Sequence, residues 1–436
     1  MADNIKSKMG FCRCGNGGKW QTLKVSEFAY VIGGGTPATK IEQYWNGSIP
    51  WLTPKDLSNH EGRYISKGER YISKKGLKNS SARILPAKTV LLTSRAPVGY
   101  VAIAENEICT NQGFRNLVVK DGFDSEFVYY LLLHNTEYLK QHASGSTFQE
   151  LSGSTLKELK FRIPPFSEQR AIACILDSLD DKIQLNRKMN ETLEAMAQAI
   201  FKSWFVDFDP VRAKAEGRNP GLPKKIADLF PDSFEDSDFG KIPNGWKATT
   251  LKDGIEIFDS MRIPLNKRQR AERQGPYPYY GAAGIMDYVD NFLFDGVYVL
   301  TGEDGSVTDD DGYPVVQYVW GKFWVNNHAH VLRGKNGISE EHLYLFLKQT
   351  NIAAFVTGAV QPKLNQKNLN SIPFVLPKEP TCRAFSALIQ PLFAKVRANA
   401  DETATLASLR DTLLPKFISG ELRVPDAEKF IEEARL

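Results

Sequence analysis

Residues 164–205 read PPFSEQRAIACILDSLDDKIQLNRKMNETLEAMAQAIFKSWF. Pro164 and Pro165 close what precedes, and Ser167 suits an N-cap with Glu168, Gln169 and Arg170 in the first turn. Apolar residues then recur at alternating steps of four and three: Ile172, Leu176, Leu179, Ile183, and after a break Leu193, Ala197, Ile200 and Trp204. Asn186 and Asn190 fill the missing positions, so the stretch is a heptad seam with a polar centre. At 1.5 Å per residue the seam gives a helix of about 48 Å, long enough to need a partner.

The chain supplies that partner. A shift of 213 positions gives Phe385, Ile389, Leu392, Val396, Asn399, Thr403, Leu406, Arg410, Leu413 and Phe417, without a gap. The match extends upstream. Ser144-Gly145 aligns with Thr357-Gly358, Leu151 with Leu364, Leu156 with Leu369, and Phe161-Arg162-Ile163-Pro164 with Phe374-Val375-Leu376-Pro377. The chain therefore reads as a tandem duplication.

Its 436 residues allow two or three domains, and 42% hydrophobic and 24% charged residues are ordinary for a globular protein. No run of eighteen apolar residues predicts a membrane span, and the start MADNIKSKMG lacks an apolar signal core, which predicts a cytoplasmic protein. Five cysteines fit a reducing compartment. Cys12 and Cys14 form C-x-C, but Cys109, Cys174 and Cys382 stand far apart and read as unpaired, so no metal is expected. A net charge of +4 does not by itself indicate nucleic acid.

Residues 1–19 read as a loose polar arm. From Trp20 to Pro165, short apolar runs alternate with Gly, Pro and Asn, as strands and loops do, until an amphipathic helix at 126–142. Residues 55–95 carry ten Lys/Arg against three acids, with Tyr64 and Tyr71 interleaved. Such density suits either a solvated face or a phosphate-binding surface. The first long helix spans 166–206. Residues 207–243 hold five prolines and read as an extended connector with one short helical turn. A second strand-rich domain follows at 244–379, with a helix at 339–348 and a basic cluster of Arg262, Lys267, Arg268, Arg270 and Arg273. The second long helix spans 380–420. Pro391 predicts a kink or a separate first piece, and Pro415 a kink or an end. Residues 421–436 form a tail.

Sites of chemistry are only approached. Ile163-Pro164-Pro165-Phe166 resembles the P-P-aromatic centre of amino-methyltransferases, but Ile163 cannot accept from an amino group. The Val31-Ile32-Gly33-Gly34-Gly35 turn is followed by Pro37 and no helix, so it is no dinucleotide site. No F-x-G-x-G turn for S-adenosylmethionine is present, and Gly281–Gly284 reads as a plain turn. Asp207-Phe208-Asp209 reads as a helix stop, and His328 with His330 as a structural or DNA-facing pair. No catalytic residue is assigned.

Two strand-rich domains, each followed by a long heptad helix, resemble the specificity subunit of type I restriction–modification systems. The residues that carry this are Ser144-Gly145-Ser146 through Leu151, Ile163-Pro164-Pro165 with Glu168-Gln169-Arg170, and Trp204-Phe205-Val206-Asp207-Phe208. Leu413-Leu414-Pro415-Lys416 through Gly420-Glu421-Leu422 and the Gly34-Gly35-Thr36-Pro37 turn add to them. The second copy departs at Lys378-Glu379-Pro380-Thr381-Cys382-Arg383, where P-x-x-E-Q-R is usual.

The resemblance implies an α+β fold. Two mixed α/β target recognition domains would be separated by two long antiparallel coiled-coil helices, in an internal pseudo-two-fold repeat. It implies double-stranded DNA as ligand, read as a bipartite asymmetric target. Two methyltransferase (modification) subunits carrying S-adenosylmethionine, and motor–nuclease restriction subunits, would be its partners, and the chain itself would bind no cofactor. Candidate DNA contacts are Lys55, Arg63, Lys74, Lys75, Lys78, Arg95, Asn111 and Gln112 in the first domain. In the second they are Arg262, Lys267, Arg268, Arg270, Lys322, Asn327 and His328. A DNA-modifying enzyme with its own catalytic site and a coiled-coil scaffold that binds only protein are the competing readings.

Overall fold

A computed structural model describes residues 19–58, 60–145, 149–358, 360–424 and 426. The expected N-terminal arm up to residue 18, with Cys12 and Cys14, lies outside the described residues, as do Ser146 and the tail beyond residue 426. The chain forms two compact units, residues 1–187 with 401–436, and residues 188–400.

The long helices are Phe166–Phe205 and Glu379–Ser419, and each unit takes part of both. In the first unit Glu168 pairs with Arg423, Asp180 with Arg410, and Asn186 with Glu402, so the two segments run antiparallel. In the second, Phe205 packs on Phe385 and Asn190 donates to the Val396 carbonyl, again antiparallel. The seam is in place: Ile172, Leu176, Leu179, Ile183, Asn186, Phe385, Ile389, Val396, Asn399, Leu406 and Leu413 are buried, with Leu193, Ile200 and Leu392 half-buried. Ile175, Phe201, Phe393 and Leu409 are buried as well. Each helix covers its recognition domain in addition to its partner, so its apolar face is wider than a strict seam.

Three local expectations need correcting. The first helix begins at Phe166, before Ser167, and Gln169 serves its start: Nε2 donates to the Pro164 carbonyl at 2.9 Å while Oε1 accepts from the Asp124 N–H at 3.0 Å. In the second copy Cys382 takes that place, its thiol 3.8 Å from the Pro377 carbonyl. The second helix also runs through Pro391 and Pro415 to Ser419 as one element, so the first proline does not separate a piece of it and the second does not end it. A proline removes one ladder bond, and buried Ile389, Phe393, Leu413 and Phe417 hold the helix on either side of each. Third, residues 207–243 are no extended connector. They form helices Asp209–Ala215 and Lys224–Ala227 and a hairpin of Phe234–Ser237 with Gly240–Pro243. Val211, Phe230 and Trp246 bury against Trp204, so apolar spacing outweighs proline content.

The recognition domains share one topology. In the first, strands Ala29–Gly33, Phe114–Val119, Val90–Ser94 and Val98–Ala104 make an antiparallel sheet in that order, with Tyr64–Ile65 added in parallel. In the second, Ile255–Ile257, Ala329–Gly334, Tyr298–Gly302 and Val316–Val319 repeat the order. A second sheet, of three strands in the first domain and four in the second, holds one parallel pair in each, Trp51↔Cys109 and Tyr279↔Trp324. The first strand pairs with the strand before the long helix in both: Gln21–Lys24 with Lys160–Ile163, and Lys247–Thr250 with Pro373–Leu376. The duplication thus covers whole domains.

The helix expected at 126–142 is two, Ser125–His134 and Thr136–Gln141, because the Asn135 side chain donates to the Leu131 carbonyl at 2.7 Å. Ser339 caps Glu340–Lys348. Asp207-Phe208-Asp209 stops the first long helix, with Phe208 at φ 55°. Cys109 and Cys382 are free and buried. Cys174 is disulfide-bonded, which corrects its reading as unpaired.

Candidate nucleic-acid interface

In the first domain the central strand Val90–Ser94 ends against the 110–113 turn. Ser94 N–H donates to the Gly113 carbonyl at 2.7 Å, and Leu151 N–H to the Ser94 carbonyl at 2.9 Å. Glycines let the Gly33–Thr36 segment press onto this turn. A Cβ on Gly34 would lie 2.0 Å from the Asn111 carbonyl, and one on Gly35 2.3 Å from the Ala82 nitrogen. The glycine run is therefore a packing device. Asn111 spends its side-chain oxygen on the Gly113 N–H at 2.8 Å, and the exposed Gln112 accepts from the Thr36 hydroxyl. Arg115 donates to Glu150 at 2.8 Å, and Arg95 lies 3.9 Å from the other carboxylate oxygen. Arg95 and Arg115 thus meet at Glu150, and Arg115 also donates to the Gln112 carbonyl at 3.3 Å, which ties that pair to the 110–113 turn.

The second domain builds the same tip from other side chains. Asn326 accepts from the His328 N–H at 2.8 Å, as Asn111 does from Gly113. Glu303 N–H donates to the His328 carbonyl, and Leu364 N–H to the Glu303 carbonyl, both at 2.8 Å. The bridge Arg95↔Glu150 becomes Asp304↔Lys363, with its charges reversed. Asn327 stands where Gln112 does, and the His328 ring meets Asp304.

The charged candidates divide. Lys74, Lys75 and Lys78 are exposed on helix Lys74–Lys78, and Lys267 and Arg268 on helix Lys267–Ala271. Lys55 is exposed and pairs with Glu69, Arg268 pairs with Glu272, and Lys322 sits over Phe292. Three arginines are committed inward. Arg63 is 8% exposed, with Asp177 and Asp181 each at 3.0 Å on the long helix. Arg262, 11% exposed, pairs with Glu303 at 2.8 Å, and Arg270, 13% exposed, with Asp287 at 3.0 Å. These three are corrected from candidate DNA contacts to structural pairs: positive charge in a sequence does not say which way the side chain turns.

His330 is fully buried. Its Nδ1 is 2.6 Å from Asp259 Oδ2, and its Nε2 2.6 Å from the Leu364 carbonyl. Asp259, Glu303 and His330 each place a ligand atom within 4.8 Å of the others. The Arg262 guanidinium already supplies positive charge to both carboxylates, at 2.8 and 3.4 Å. Burial would raise the Asp259 carboxyl. Hydrogen bonds from His330, the Val331 N–H and Gln366 outweigh it and hold the group below the usual carboxylate range. His330 is structural, and the expectation that it and His328 point to one face of a strand fails: the chain turns at 327–328, leaving His328 exposed and His330 buried.

Sequence reading missed Arg115, Glu150, Asp304, Asn326 and Lys363. Glu150 and Lys363 do lie inside the aligned stretches 144–151 and 357–364, which was the available signal. Among the described residues no helix is long and apolar enough to cross a membrane.

Comparison with known proteins fits this architecture. The family model described as type I restriction modification DNA specificity domain matches residues 17–195 and 243–402, once per repeat. The MjaIX specificity subunit of Methanocaldococcus jannaschii is 38% identical over 428 residues, 93% of this chain and 94% of that protein. The HindI specificity subunit of Haemophilus influenzae is 27% identical over 68% of this chain and 77% of its own. The crystal structure of the type I restriction–modification S subunit from M. genitalium superposes with a TM-score of 0.57 at 20% identity, covering 93% of this chain and 98% of that one. With both repeats matched by that model and nearly its whole length aligned with one such subunit, the chain belongs to the type I restriction–modification specificity subunit family.

Proposed function

We propose that this chain is the sequence-reading subunit of a type I restriction–modification complex. Each recognition domain reads one half of a split, asymmetric double-stranded DNA target, and the long helices set the distance between the halves. Two methyltransferase subunits, which bind S-adenosylmethionine, and motor–nuclease subunits assemble on it in the cytoplasm. The chain itself binds no cofactor and performs no chemistry.

One observation carries this reading: two domains of one topology present different side chains at equivalent tips. Gln112 answers to Asn327, and Arg95 with Glu150 to Asp304 with Lys363. Two readers with unlike contacts suit two unlike half-sites, because base-edge contacts specify while phosphate contacts position. A protein-only scaffold has no use for such a difference.

The test is to map methylated bases in cells that carry this chain with its methyltransferase partner. A split, asymmetric motif is expected, and Gln112→Ala should relax one half of it only. The purified chain alone, given S-adenosylmethionine and DNA, should transfer no methyl group. Methylation without a motif, or transfer by the isolated chain, would overturn the assignment.

A further inference from the structure

In the second domain, strands Tyr277–Tyr280 and Ile285–Val289 form an antiparallel hairpin that turns at Gly281–Gly284. The outer strand is the edge of its sheet. It carries Ile285, Met286 and Tyr288 at 47%, 54% and 49% exposure. Edge strands are usually blunted with charge, and clustered exposed apolar groups mark a contact surface.

Met286 is held in place. Its Sδ lies 3.3 Å from Asn326 Nδ2, and a Cβ on Gly281 would come within 2.4 Å of it. It therefore sits against the Asn326–His328 turn, whose counterpart in the first domain carries Asn111 and Gln112. Cations flank the strand. Arg270 and Gln274 both bind Asp287 at 3.0 Å, which ties the basic helix Lys267–Ala271 alongside and leaves Lys267 and Arg268 exposed. The matching edge strand of the first domain, Arg70–Ile72, shows no such strip. Arg70 is exposed and lies 3.6 Å over the Trp45 ring, while Ile72 is buried.

A two-stranded ribbon fits the major groove, and the one apolar group displayed there is the C5-methyl of thymine. We infer that Met286 reads a thymine methyl from this hairpin, with Lys267 and Arg268 on the neighbouring phosphates. This rests on the DNA-reading role proposed above.

The experiment uses the full chain assembled with its methyltransferase partners, on a duplex carrying the mapped target. Each thymine is replaced singly by deoxyuridine, which lacks only the methyl. At one position the wild type should lose about fourfold in affinity, the effect of one buried methyl. Met286→Ala should bind the thymine duplex as weakly as the wild type binds that deoxyuridine duplex, and be indifferent to the replacement there. Its melting temperature should fall only slightly, because about half of the side chain is exposed. A target without thymine, a deoxyuridine penalty that survives in the variant, or equal weakening on unrelated sequences overturns the inference and leaves the DNA-reading role intact. Failure of Met286→Ala to assemble with the partners would make the strip a protein contact and overturn it too. Methylation without any motif would instead remove the role on which the inference rests.

Discussion

Arg63 and Lys75 belong to the same basic run, yet they should answer mutation in opposite ways. Arg63→Met would strand Asp177, and Tyr130, which also donates to Asp177, would lose its cation. Removing one partner of a buried pair costs roughly 3 kcal/mol. The melting temperature should fall while the salt dependence of DNA binding keeps its slope. Lys75→Ala should leave the melting temperature alone and flatten that slope by about one unit, as loss of a phosphate contact does. Titration against salt, beside thermal melts of both variants, separates the two roles. Asp259 gives a pH prediction. Its carboxyl lies below the usual range, so its contribution is fully present above about pH 4, the ordinary unfolded value. It is lost as pH falls through the lowered folded value. Asp259→Asn should therefore be less stable than the wild type at neutral pH, and the gap should close on acidification; a gap independent of pH would show that the carboxylate is not what matters. At this scale the sequence told little. Charge and polarity were visible, but Arg63 facing inward and Lys75 outward depends on which helix lies beside each.

The long helices were the most legible elements, because one periodicity specified their length, their buried face and their partner. Their polar centre is now concrete. Asn186 is fully buried and donates to Glu402 at 2.7 Å, while Asn399 donates to Asn190 at 2.8 Å. Asn186→Leu should raise the melting temperature, because Glu402 keeps Lys182 at 3.1 Å when the amide goes. The loss should appear in register, as relaxed spacing between the methylated half-sites, since a buried Asn in a seam usually exchanges stability for one alignment. Asn399→Leu should gain less, because it leaves Asn190 Oδ1 without its donor. A lower melting temperature for Asn186→Leu would count against this account. The strands were legible as runs but not as sheets. Which runs pair is fixed by long-range register, and the repeat's offset drifts from 213 residues in the helices to 215 between Asn111 and Asn326. The equivalence of the two tips was therefore invisible to a gapless comparison.

At the level of the whole chain, the duplication makes a prediction about half of it. In the first unit Ile172, Leu176, Leu179 and Ile183 share a core with Leu406, Leu409, Leu413 and Phe417. A fragment ending after Phe208 lacks those four partners, and each buried side chain of this kind is worth roughly 1.5–3 kcal/mol. The repeat puts Leu193, Met196, Ile200 and Trp204 of the first helix at the positions equivalent to Leu406, Leu409, Leu413 and Phe417. A second copy of the fragment can therefore supply the missing seam. Some pairs are lost in the exchange: Arg410, which binds Asp180, is replaced by Ala197, and the Glu168–Arg423 pair has no counterpart. The apolar stripe outweighs them, because partly exposed ion pairs contribute about 1 kcal/mol or less. Residues 1–208 should form a symmetric dimer at micromolar concentration, its two-fold axis exchanging identical helices. With methyltransferase subunits added, that dimer should mark an inverted repeat of the first half-site in place of the asymmetric target. Sedimentation of the fragment followed by mapping of methylated bases tests both steps. A stable monomer would mean that the first recognition domain alone satisfies its helix, and an asymmetric target would mean that one domain contacts more than one half-site.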